Sequence, residues 1–187
     1  LVQGMKWLAL LGYAWATLSR GPARVSVKET LLDSAVFDVR YCGKGSNNIV
    51  LLTVRGTLYY SPDAGVSWGL STLRPSTAAE FSGTPPPPQA LVVHELFQSP
   101  SNTMVLLATS KQSKVLYKST DAGKTWVAID TDDRVTNVVF SEVSDLKILF
   151  STWTANCYNA QRDPNIEPCI HKLWVSIDGC ETMQKAE

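Results

Sequence analysis

Ser61-Pro62-Asp63-Ala64-Gly65-Val66-Ser67-Trp68 decides the fold, because the chain writes it again as Ser119-Thr120-Asp121-Ala122-Gly123-Lys124-Thr125-Trp126 and, in worn form, as Ser176-Ile177-Asp178-Gly179-Cys180-Glu181-Thr182-Met183. The copies start at residues 61, 119 and 176, a spacing of 58 and then 57. Each follows a lead-in of a leucine, an aromatic and one further residue: Leu58-Tyr59-Tyr60, Leu116-Tyr117-Lys118 and Leu173-Trp174-Val175. Self-similarity at a fixed period of this size marks a repeat architecture, each unit being one supersecondary element stacked on its neighbours.

The residue types are those of a tight turn between two strands. The Asp carboxylate accepts from backbone N–H groups just downstream, the Gly supplies a positive φ, and Ser or Thr hydroxyls satisfy the remaining turn groups. The Trp then re-enters a strand and buries a large ring. The pattern resembles the Asp-box of sialidases, sortilin-type receptors and other β-propellers. That resemblance implies a structural turn between the third and fourth strands of a blade, formed by Ser61, Asp63, Gly65 and Trp68, by Ser119, Asp121, Gly123 and Trp126, and by Ser176 and Asp178. A carboxylate in every repeat could also mark catalysis or a metal, but the local turn already accounts for each residue type. The third copy departs from the pattern at Cys180 and Met183.

Short β-rich runs bounded by turn residues complete each repeat. In the second they are Ala90 to Phe97, Thr103 to Thr109, Lys114 to Ser119 and Thr125 to Ile129. In the first they are Ala35 to Tyr41, Asn48 to Val54, Thr57 to Tyr60 and Ser67 to Leu70. In the third, Val135 to Ser141 and Lys147 to Trp153 precede a long excursion and then Lys172 to Ser176. The expected fold is all-β, a partial β-propeller of about three four-stranded blades. Since propellers close with four to eight blades or more, the blades read as the N-terminal part of a larger ring, incomplete at its C-terminal side.

Residues 1–23 read as a leader, with Met5-Lys6 as a basic start, an apolar run from Trp7 to Leu18 and small residues at Gly21-Pro22-Ala23, as in a secretory signal. The blades then occupy residues 24–187. With 17 basic and 17 acidic residues the formal net charge is zero, which argues against nucleic acid or an acidic membrane surface as partner. Cys157 and Cys169 bracket an 11-residue excursion and are expected to form a disulfide in an oxidising compartment. The pairing of Cys42 and Cys180 stays open. Zinc is the rival reading, but no Cys-x-x-Cys or Cys-x-x-His spacing occurs and His171, two residues after Cys169, matches ligand spacing poorly. No metal or cofactor is therefore expected.

Leu149-Phe150-Ser151-Thr152-Trp153-Thr154-Ala155-Asn156-Cys157, followed by a Cys-containing loop and Leu173-Trp174-Val175-Ser176, resembles the sortilin family, over roughly residues 31 to 183. The resemblance implies the N-terminal blades of a ten-bladed luminal domain that binds polypeptide cargo between Golgi and endosome. Membrane attachment and contact with cytosolic adaptors would lie in regions C-terminal to these blades. Two rival classes are an Asp-box glycoside hydrolase and an Asp-box assembly factor. A sialidase needs an arginine triad, and Arg40, Arg55, Arg74, Arg134 and Arg162 include none in a Phe-Arg-Ile-Pro context. The expectation is a chain without enzymatic activity.

Connection parity locates the partner surface. In an up-and-down blade the box turn lies on one face, whereas the loops joining strands two and three, and those leading to the next blade, lie on the other. The Cys157 to Cys169 excursion and the proline-rich Thr72 to Gln89 segment are thus expected to share a rim, with Thr84, Pro85, Pro86, Tyr158, Arg162 and Asp163 as candidate contacts. His94 reads as a packing or solvated strand residue, and Asp130, Asp132, Asp133 and Glu142 as a solvated acidic edge.

Overall fold

The computed structural model describes residues 28–74, 91–110, 114–154, 157 and 169–186, and among these it is all-β. The elements are β1 (Val36–Cys42), β2 (Asn48–Thr53), β3 (Leu58–Ser61), β4 (Gly69–Leu70), β5 (Thr72–Leu73), β6 (Glu95–Gln98) and β7 (Leu106–Thr109), followed by β8 (Val115–Ser119), β9 (Thr125–Asp130), β10 (Arg134–Ser141), β11 (Ser144–Trp153), β12 (His171–Ser176) and β13 (Gln184–Lys185). They form three blades. β1-β2-β3-β4 and β10-β11-β12-β13 are four-stranded sheets, and the middle sheet runs β5-β9-β8-β7-β6. Within each blade successive strands pair antiparallel, the meander of a propeller blade.

Three departures from the sequence reading have local causes. The first strand of the middle blade, expected from Ala90, begins only at Glu95, because Leu91 to Val93 are drawn to the preceding blade. There Val92 bridges Thr57, and the Val93 N–H donates to the Gly56 carbonyl at 2.9 Å. The segment expected to leave the first blade as a loop from Thr72 starts instead as β5, pairing parallel with β9. The third blade gains a fourth strand, β13, opposite Trp174 and Val175, although the third box ends in Met183 rather than Trp. The leader, residues 1–23, lies outside the described residues.

Inter-blade packing follows a rule readable from register. Ser61, Ser119 and Ser176 lie opposite Ile49, Leu106 and Ile148, so the residues one step further along those strands, Val50, Leu107 and Leu149, are equivalent. Val50 and Leu107 have no exposed surface, because the next blade covers each. Val50, Leu52 and Leu58 of the first blade pack with Leu96, Leu106, Ala108, Ala122 and Trp126 of the second. Leu107 and Leu116 of the second pack with Val135, Val138, Ile148, Phe150 and Cys180 of the third. Both faces of the middle sheet are thus apolar, so its strands read as continuous hydrophobic runs rather than as alternating ones.

Candidate functional site

The three boxes share one hydrogen-bond pattern. Ser61, Ser119 and Ser176 donate through Oγ to Oδ1 of Asp63, Asp121 and Asp178 at 3.0, 2.9 and 2.8 Å. The same hydroxyls accept from the N–H of Gly65, Gly123 and Cys180 at 2.8, 2.9 and 2.8 Å. Each Oδ1 also accepts the N–H of Ser67, Thr125 or Thr182, and each Oδ2 their hydroxyl. The indole N–H of Trp68 and Trp126 donates to the carbonyls of Gly65 and Gly123. Met183 has no such donor, so the third turn keeps every carboxylate bond but lacks the indole one, and also the Asp N–H to Ser Oγ bond present at Asp63 and Asp121.

These bonds stabilise the ionised carboxylates. Asp63 is held below the usual carboxylate range chiefly by the Ser67 hydroxyl, and Asp178 is brought down to about 2 chiefly by the Thr182 hydroxyl. At Asp121 burial pulls upward as the largest single influence, but the Thr125, Ser119 and Arg74 contacts together outweigh it. Arg74, just after β5, meets Asp121 at 3.3 Å. Each carboxylate serves its own turn, and the structure does not gather the three around one cavity.

Cys180 occupies the box position held by glycine in the other copies, at φ +70°. Gly179 precedes it at φ +73°, where the other copies have Ala64 and Ala122 at +59°. The third turn therefore keeps two consecutive left-handed residues with the glycine moved one place. Cys42 and Cys180 are free, buried thiols, and burial pushes each up to about 11.

Cys157 and Cys169 are joined, with Cα atoms 4.4 Å apart. They sit just beyond the last pair of the β11–β12 ladder, Trp153 opposite His171. Below the disulfide, the Thr154 N–H donates to the Ile170 carbonyl and the Ile170 N–H to Thr154 Oγ1, both at 3.1 Å. His171, set aside at the sequence level for its poor zinc spacing, places Nε2 3.4 Å from Cys169 Sγ, and the Trp153 ring meets its imidazole edge-on with centroids 5.0 Å apart. The cysteine and histidine donor atoms lie within 4.8 Å of one another, but the two sulfurs are spent on each other.

Asp133 is a correction to the acidic edge: it is 7% exposed and holds Lys172 of β12 at 2.6 Å. A half-buried Lys in a short strand gave no period-based signal for this pair. Asp130, Asp132, Glu142 and His94 are exposed. A shallow groove of about 260 Å³ on the box face runs between the second and third turns, lined by Arg74, Lys118, Thr125 and Glu181. The rim candidates Thr84, Pro85, Pro86, Tyr158, Arg162 and Asp163 lie outside the described residues. Their anchors are described: Leu91 to Val93 at the β2–β3 turn of the first blade, and Cys157 with Cys169 between β11 and β12.

No protein-family model matches this sequence, and no curated protein matches it. Solved structures do. An ancestral GH74 enzyme aligns over 81% of the chain at 14% identity and TM-score 0.50, with 18% of that structure covered. A GH74 enzyme of Niastella koreensis aligns over 81% at 17% identity and TM-score 0.52, with 22% covered. YCF48 bound to a D1 peptide aligns over 85% at 17% identity and TM-score 0.41, with 55% covered. The chain is built as Asp-box propeller blades, and spans about a fifth of the GH74 structures. The expectation of a non-enzymatic chain is corrected here, because the same blade architecture occurs in GH74 enzymes. A missing sialidase arginine pattern argues against one glycosidase chemistry only.

Proposed function

We propose that the chain contributes three consecutive blades to an Asp-box propeller of the sortilin type, which recognises polypeptide cargo in the lumen of the secretory pathway. The observation that carries this reading is the Cys157–Cys169 disulfide at the head of the β11–β12 ladder, since such bonds persist in oxidising compartments. The box turns spend their polar groups internally, which leaves recognition to the opposite rim, where the excursion between β11 and β12 and the linker returning at Leu91 both arrive. The test uses the full-length protein secreted from cultured cells, with a short turn replacing residues 158–168. Binding to an array of unmodified peptides should fall while the oxidised fold is retained; equal binding by both forms removes the rim assignment.

A second reading is favoured by the architecture shared with GH74 enzymes. Under it the full propeller hydrolyses a polysaccharide in a cleft to which these blades contribute. Reducing ends released from a panel of plant and microbial glucans by the same secreted protein would select this reading over cargo binding.

A further inference from the structure

We propose that the Cys157–Cys169 disulfide is a thiol-exchange site, with His171 directing the reaction so that Cys157 receives the incoming thiol and Cys169 leaves. A disulfide sulfur carries no hydrogen, so across the 3.4 Å contact between His171 Nε2 and Cys169 Sγ the imidazole is the partner able to donate, in its Nε2–H tautomer or as imidazolium. In that form the N–H faces the atom on which negative charge appears when the S–S bond breaks. The Trp153 ring, edge-on to the imidazole, and the register pair Trp153–His171 hold it there. Among the described residues Cys157 Sγ meets the Thr154 hydroxyl, at the longer distance of 3.7 Å. Both cysteines are partly exposed, unlike the buried free thiols Cys42 and Cys180.

The step balances without a further reactant. A low-molecular-weight thiolate attacks Cys157 Sγ, a new S–S bond forms between them, and the Cys157–Cys169 bond breaks. Its electron pair stays on Cys169 Sγ as a thiolate, which accepts the His171 N–H bond. The better stabilised leaving thiolate departs faster, which fixes the direction of attack. Cleavage leaves the blade standing, because six register pairs from Ile148–Ser176 to Trp153–His171 and the two Thr154–Ile170 bonds close the base of the excursion independently. A bond that can open without unfolding its sheet suits reversible exchange.

The test treats the oxidised full-length protein with glutathione, traps free thiols by alkylation and maps the products by mass spectrometry. Glutathione is expected on Cys157 and the alkyl group on Cys169. His171→Ala should slow the first cleavage about tenfold, the worth of one hydrogen bond to a charged group, and distribute glutathione over both cysteines. His171→Gln, which keeps an N–H donor, should restore part of the rate and the preference. Circular dichroism of each variant verifies the fold, and Cys169→Ala provides a trapped Cys157 adduct as reference for the mapping. Glutathione found chiefly on Cys169, or a rate and distribution unchanged in His171→Ala, overturns the proposal.

Discussion

Gly65 and Gly123 hold the same box position with φ of +90° and +77°, yet they meet different surroundings. A Cβ on Gly65 would lie no nearer than 3.6 Å to Trp68, whereas one on Gly123 would lie 2.3 Å from Val50 Cγ2 of the preceding blade. Both Gly→Ala changes incur the left-handed backbone penalty, but only Gly123→Ala also overpacks an inter-blade contact. Gly123→Ala should therefore be the more destabilising by about 1–3 kcal/mol in urea denaturation, and equal midpoint shifts would contradict the packing argument. The box carboxylates supply a second prediction. Asp178 drops from 3.8 to about 2 on folding, so its contribution is fully present above pH 3.8 and is lost as pH falls toward 2. Asp63 and Asp121 shift the same way. Denaturation midpoints measured from pH 5 to 2 should fall steeply, and Asp178→Asn should flatten part of that slope.

At the level of elements, short outer strands are held by side chains as much as by ladders. β4 makes only two register pairs with β3, and the chain then crosses to the second blade. There the Ser71 hydroxyl donates to the Gly123 carbonyl at 2.6 Å, and the Arg74 N–H donates to the Trp126 carbonyl at 2.7 Å. The first and second blades are thereby stitched at their outer edge as well as through their core. In the third blade Lys172 ties β12 to Asp133, just before β10. Lys172→Met would strand a nearly buried carboxylate and should cost about 1–3 kcal/mol, measured by chemical denaturation. Asp133→Asn in the Lys172→Met background should recover part of that loss, since a neutral amide is cheaper to bury than an unpaired charge.

Across the whole molecule, the stacking rule leaves the outer face of the third blade uncovered among the described residues. Val50 and Leu107 are fully buried under a following blade, while their equivalent Leu149 is 38% exposed, beside Val139 at 52% and Ile177 at 68%. An apolar blade face of this kind favours association. The 187-residue chain in isolation should self-associate with rising concentration in sedimentation experiments, and Leu149→Asp should shift it toward monomer. A chain that stays monomeric at high concentration would show that this face needs no cover.

The repeated octapeptides determined the blade count, the turns and the all-β class, because the Ser and Asp side-chain bonds shared by the three boxes reach no further than four residues. Local chemistry of that reach is written in consecutive letters. For the same reason the worn third copy still folds as a box: Ser176, Asp178 and Thr182 survive, and Gly179 moves one place to share the left-handed turn with Cys180. The tertiary structure alone decided which residues meet across blades and between distant strands. Nothing local distinguishes Gly123 from Gly65 until Val50 arrives from 73 residues away, or shows that Lys172 will find Asp133 from 39 residues away. By its spacing along the chain, two residues after Cys169, His171 is a poor metal ligand. Its role arises from the turn of the ladder, where strand register brings the imidazole, the Trp153 ring and the disulfide into one place. Contacts of that range depend on how sheets stack, and stacking is a property of the folded whole.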